Sequence, residues 1–171
     1  GYNYSMNTNY IGLAHFSSPL RNGVQSLKSM VDLYPAPWSR AQVQAIVNNE
    51  KWGFLGETGG QCDLDLAMQF GMQMFGGATY RNQTPDYRFI ILMAQGFYDA
   101  GADPVGNANL LRSMYNATVL AVGMPPRTNT ALLTQIVGND PSAVYTQQNY
   151  MNIPNRINTF LQSHGCAPFP P

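Results

Sequence analysis

Apolar side chains recur along much of this chain at helical spacing, and the breaks between them fall at proline, glycine and short polar residues. Ser39-Arg40-Ala41-Gln42 has the pattern of a capping box, followed by Val43, Ile46 and Val47 on one helical face. Pro85, Pro104 and Pro141 each follow a capping residue (Thr84, Asp103 and Asp140), which is where a first helical turn tolerates proline. Gly101, Gly123 and Gly138 stand where helices should stop. The pattern predicts helices near 19–33, 39–50, 63–75, 85–100, 104–122, 128–137, 141–149 and 154–163. Segment 85–100 carries Phe89, Ile90, Leu92, Met93 and Phe97 on more than one side and is predicted to be a buried central helix. Strand signals are poor; the glycine-rich stretches at 53–60 and 76–83 have room for one short hairpin. The expected fold is all-α: a single compact multi-helix domain over 1–171, with an extended N-terminal arm at 1–18 and a proline-rich tail at 166–171.

Composition narrows the function classes. The 171 residues suffice for one domain with a full core. Nine basic and nine acidic residues cancel to a formal net charge of zero, and the basic ones are scattered. No basic stripe offers a phosphate track, so nucleic acid is not the expected partner. No apolar run has the length of a membrane span, and the opening Gly1-Tyr2-Asn3-Tyr4-Ser5 reads as a trimmed start without a signal peptide. A weakly charged, amide-rich surface suits a secreted or extracytoplasmic protein and is compatible with self-association. Cys62 and Cys166 allow one disulfide, closing a loop of about a hundred residues and adding about 4–5 kcal/mol in the chain-entropy picture. Of three glycosylation-type sequons, at Asn3, Asn82 and Asn116, the last falls in a predicted helix, which leaves the first two usable.

Candidate chemistry concentrates in one place. Glu57, Asp63 and Asp65 are three of the nine carboxylates and lie within nine residues. Glycan cleavage needs such a pair, one carboxyl protonated as general acid and one ionised. Trp52, Phe54 and Leu55 precede Glu57, and walls of that kind raise a carboxyl pKa toward neutrality. Either Asp63 or Asp65 would be the ionised partner; the alternative role for both is to start a helix. A second enzymatic reading places Cys62, preceded by Gln61, at a helix N-terminus with His164 or His15 as base; the adjacent aspartates disfavour its thiolate. The two histidines lack a ligand spacing, so no metal and no other cofactor is expected.

The order of short motifs resembles the lysozyme-like superfamily, which includes goose-type lysozymes, lytic transglycosylases and small helical β-mannanases. Ala45-Ile46-Val47 leads through Trp52 to Glu57-Thr58-Gly59-Gly60, then Phe70-Gly71-Met72-Gln73 and Met114-Tyr115-Asn116-Ala117. The glycine lies one place too near Gln73, Tyr-Asn-Ala lacks its usual following glycine, and Lys51 to Gly56 interrupt the run of helix into Glu57. The resemblance implies a secreted glycoside hydrolase or lytic transglycosylase acting on a polysaccharide. Glu57, Asp63 and Asp65 would be catalytic, and Trp52, Gln73, Tyr115 and Asn116 would bind substrate. The rival expectation is a non-enzymatic helical subunit of an extracellular filament or virion. An apolar-ligand carrier is a third, resting only on the methionines and aromatics.

Overall fold

In the computed structural model the described residues are 12–16, 27–31, 40–49, 64–76, 87–96, 103–124, 126–146 and 152–165. Two short strands, β1 (Leu13–Phe16) and β2 (Leu27–Val31), pair antiparallel. Helices α1 (Arg40–Asn49) and α2 (Leu64–Gly76) follow. The chain then alternates through β3 (Arg88–Ala94), α3 (Pro104–Tyr115), β4 (Ala117–Gly123), α4 (Thr130–Ile136), a 3-10 turn at Pro141–Ala143, β5 (Val144–Thr146) and α5 (Ile153–Ser163). Strands β3, β4 and β5 form a parallel sheet in that order, with Arg88 opposite Ala117 and Ala121 opposite Val144. Parallel neighbours need a crossover, and α3 and α4 supply the two.

The all-α expectation is therefore corrected to α/β. The predicted central helix at 85–100 is the strand β3. The second half of the helix predicted at 104–122 is β4, and strands also replace parts of the helices predicted at 19–33 and 141–149. The physical reason is burial on two faces. A central strand of a parallel sheet is apolar without alternation, and such a run looks like a buried helix to any test of periodicity. In β4 every residue but Thr118 is buried, and Val119, Leu120, Ala121 and Val122 are between 0% and 2% exposed. The observed antiparallel pair, β1 with β2, lies elsewhere than the stretches 53–60 and 76–83, which fall wholly or almost wholly outside the described residues.

Local chemistry sets the element boundaries. Asp103 caps α3 by accepting from the Gly106 N–H at 2.8 Å, with Pro104 in the first turn. At the other end Asn116 adopts a left-handed conformation (φ 50°), its N–H bonding the Leu111 carbonyl, so the chain turns directly into β4. Asn129 caps α4 through the Leu132 N–H. Helices α2, α3 and α4 pack side by side, with α3 and α4 against β4. Gly71 of α2 lets Ile90 of β3 approach closely; a Cβ there would lie 3.1 Å from the Ile90 Cδ1. Phe89, one position back, points to the other face and meets His164 beyond α5, ring centroids 6.4 Å apart. The core between these layers is built on Leu64, Met68, Leu111, Leu120, Leu133 and Ile136.

Candidate functional site

In an open α/β sheet the place for a ligand is the crest at the carboxyl ends of the parallel strands, where the crossover helices begin. Here β3 ends in Ala94 and continues through Gln95 and Gly96, while β4 ends in Gly123 followed by Met124. The two strand ends are tied together, with the Met124 N–H donating to the Ala94 carbonyl at 2.9 Å. The Gln95 carbonyl accepts from the Asn129 N–H at 2.7 Å, which anchors the start of α4 to the end of β3. Gly96 has φ +81°, and a Cβ on it would fall 2.8 Å from the Asn129 carbonyl oxygen, so no larger residue fits without movement of backbone. Thr128 donates to the Met124 carbonyl and folds its methyl over Gly123. Pro126 and Arg127 are exposed on this connection.

Asp65, in the first turn of α2, sits on the same crest. One carboxylate oxygen accepts from the Asp103 N–H at 3.1 Å and from the Asn107 amide at 2.6 Å; the other accepts from Gln69 at 2.7 Å. Asp65 thus joins the start of α2 to the start of α3. Its three acceptor contacts are all to protein donors, which makes it a tie between helices in this arrangement. Asp103, in turn, is occupied by the N–H of Gly106.

Among the described residues, Gln73, Tyr115 and Asn116 are not brought to Asp65. Tyr115 ends α3 with its ring 5.9 Å from that of Phe75, and Asn116 is the helix cap beyond it. Both lie at the far end of a 12-residue helix, about 18 Å long, from the Asp103 and Asn107 that Asp65 touches. Gln73 is exposed more than two turns along α2 from Asp65. Trp52, Glu57, Cys62, Asp63 and Cys166 lie outside the described residues, as do the disulfide they were expected to form and the pairing of Glu57 with an aspartate. The crest residues Gln95, Gly96, Thr128 and Asn129 were not singled out from sequence. The available signal was a glycine two places after an unbroken apolar run, repeated near the end of a second such run.

Charge is sparse elsewhere. Arg112, partly buried on α3, donates to the Ile136 carbonyl, and burial lowers its pKa from the ordinary guanidinium value. Tyr145 on β5 is held above the usual phenol range, chiefly by burial, with the Arg156 guanidinium 5.6 Å over its ring. An open depression of about 420 Å³ beside that pair is lined by Asn152, Asn155, Arg156 and Thr159. Among the described residues no helix is long and apolar enough to cross a membrane.

Three solved structures of one protein superpose on this geometry. They are proximal thread matrix protein 1 from the mussel byssus, a second crystal form of it, and the same protein "with zinc occupied MIDAS motif". Each is 20% identical to the chain, with TM-scores of 0.66, 0.69 and 0.67. They cover 85%, 89% and 85% of the chain, which spans only 34–36% of their length. At that identity the likeness establishes the fold. No curated protein matches the sequence.

The zinc in one of these structures raises the question of a metal at the crest. Among the described residues no group of three His, Cys, Asp or Glu side chains comes together. Asp65 and Asp103 accept from protein donors, and the first position beyond β3 holds a neutral amide, Gln95. Among the described residues, therefore, no set of anionic or imidazole ligands converges on one point, as a divalent cation requires.

The lysozyme-like resemblance is overturned by a match that covers nearly the whole chain. The sequence profile of the von Willebrand factor type A domain aligns with residues 3–159, in agreement with the parallel sheet and its crossover helices. A glycan-cleaving enzyme, its polysaccharide substrate and a helical lysozyme-like architecture are accordingly set aside. The chain belongs to the von Willebrand factor type A domain family.

Proposed function

We propose that this chain is a protein-binding module of an extracellular structural assembly, and that its crest carries the contact surface. The observation that supports this most is the family match across residues 3–159. The likeness in fold to a matrix protein of the mussel byssus points the same way, as does a sparsely charged chain with a formal net charge of zero. The crest fits the role mechanically. The tie from Gln95 to Asn129, and the one from Asp65 to Asp103 and Asn107, hold the starts of three helices and the ends of two strands in one rigid arrangement. Exposed Arg127 then presents a cation on a surface that is preorganised for a partner, which lowers the cost of ordering on binding.

The test is binding of the purified chain to a panel of purified extracellular-matrix proteins on a biosensor, beside Arg127→Glu. Saturable binding to at least one protein, weakened tenfold or more by the substitution, is the expected result. No saturable binding across the panel, or equal binding by the variant, would overturn the crest reading.

A further inference from the structure

The chain leaves α3 through Asn116-Ala117-Thr118, a glycosylation-type sequon whose middle residue is not proline. Inside a helix this sequon would be a poor acceptor, and the structure removes that objection. Asn116 is the cap beyond α3 and is exposed, with the left-handed backbone (φ 50°) that asparagine tolerates better than most L-residues. Its backbone N–H does the capping, by bonding the Leu111 carbonyl, and Arg88 holds the same turn by donating to the Tyr115 carbonyl at 2.5 Å. The Asn116 side-chain amide has no hydrogen-bond partner among the described residues. Met114, two residues earlier, is 64% exposed, so the end of the helix is open to solvent. A left-handed cap accounts for the asparagine but not for Thr118. That threonine is the polar residue in the β4 run Ala-Thr-Val-Leu-Ala-Val, and it is the position of that run that is not buried. Its hydroxyl, too, has no hydrogen-bond partner among the described residues.

We propose that Asn116 is an N-glycosylation site, taking an oligosaccharide from a lipid diphosphate carrier. In the transfer Asn116 Nδ2 forms a bond to the anomeric carbon of the first sugar. The bond from that carbon to the diphosphate oxygen breaks, and the lipid diphosphate leaves with the electron pair. The amide gives up one proton to a base of the transferase, which recognises the sequon through the Thr118 hydroxyl. The fold sets the timing. Ala117 and Thr118 are fixed in β4 opposite Arg88 and Phe89, so the folded chain cannot offer the sequon in another conformation. Parallel pairing across a crossover forms slowly, which leaves the sequon open to the transferase before the sheet closes. The folded protein then accommodates the product, because a bulky, hydrated sugar on an exposed turn displaces nothing from the core. Asn116 also lies at the opposite end of α3 from Asp103, about 18 Å along a 12-residue helix, so the glycan stands away from the crest.

This inference rests on the reading of the chain as extracellular and is independent of the crest. The test is expression of the full chain behind a secretion signal in cultured animal cells, with the other two sequons removed as Asn3→Gln and Asn82→Gln. Trypsin cleavage after Arg112 and Arg127 frees the peptide 113–127, which carries this sequon alone. Mass spectrometry of that peptide from the secreted protein should show a glycan, and treatment with a glycan-releasing amidase should remove it and convert Asn116 to aspartate. Asn116→Gly, which suits the left-handed backbone, and Thr118→Val, which keeps a β-branched residue in the strand, should each abolish the glycan. Thr118→Ser should retain it. An unmodified Asn116 in the secreted protein would overturn the inference, as would a glycan confined to chains held inside the cells. Binding to matrix proteins, measured with Arg127→Glu, separates the two proposals. An unmodified chain that binds sinks only the glycosylation site, and a glycosylated chain that binds nothing sinks only the crest.

Discussion

Replacing Gly96 by alanine probes whether the crest is as tightly built as its geometry indicates. Three contributions decide the outcome. The left-handed backbone at φ +81° costs an L-residue about 1–2 kcal/mol. The new Cβ would sit 2.8 Å from the Asn129 carbonyl oxygen and 3.1 Å from the Leu133 Cγ. The first contact is with backbone that is already held from two sides, since Asn129 donates to Gln95 and accepts from Leu133. It cannot yield by a rotamer change, and overpacking of this kind costs about 1–3 kcal/mol. Alanine also restricts the unfolded chain, which returns about 0.4–1 kcal/mol. The net loss is therefore about 1–5 kcal/mol.

Gly138→Ala is the matched control. Its φ is +88°, but the nearest atoms to a new Cβ are the flexible end of Arg112 at 3.4 Å and beyond. It bears the backbone strain alone and should lose about 0–1.6 kcal/mol by the same reckoning. Urea unfolding followed by circular dichroism measures both. If Gly96→Ala costs no more than Gly138→Ala, the close approach of α4 to the end of β3 is not a constraint and the rigid crest is wrong.

Asp65→Ala removes the acceptor for Asp103, Asn107 and Gln69, and should destabilise by about 1–2 kcal/mol on a half-exposed site. Asp65→Asn keeps one acceptor oxygen and should lose less, and equal losses would mean that the three contacts do not bear on stability. Asp140, at the start of the 3-10 turn, accepts from the Ser142 hydroxyl and N–H, and these bonds hold its pKa below the ordinary carboxylate value. A depressed pKa contributes stability that is present above the unfolded value, near 3.9, and is lost as pH falls through the folded value. Asp140→Ala should thus cost about 0.5–1 kcal/mol at pH 7, the charge being well exposed, and the gap to wild type should close below about pH 4 in the same unfolding assay.

The sequence by itself located the features that depend on neighbours in the chain. Asp103-Pro104, Asp140-Pro141 and the box at Ser39 mark element starts because a cap needs only the next three residues, and helices do begin at Pro104 and Arg40, with the 3-10 turn at Pro141. The helices at 64–76 and 153–163 were legible for the same reason, each from its own periodicity. Whether Phe89 to Ala94 is strand or helix was not written locally. The run is apolar on all sides in either form, and the choice was made by β4, whose Ala117 pairs with Arg88 across the α3 crossover. The end of α3 was likewise decided by Asn116 turning left-handed to feed β4, which gave a familiar-looking Tyr-Asn-Ala a structural place. At the crest, Asp65 was visible as a helix-start carboxylate, but its partner Asn107 is 42 residues away and only folding brings the two together. The tie between Gln95 and Asn129, and the need for glycine at 96, arise in the same way, because a close approach between elements distant in sequence is a property of packing and leaves no mark in either segment alone.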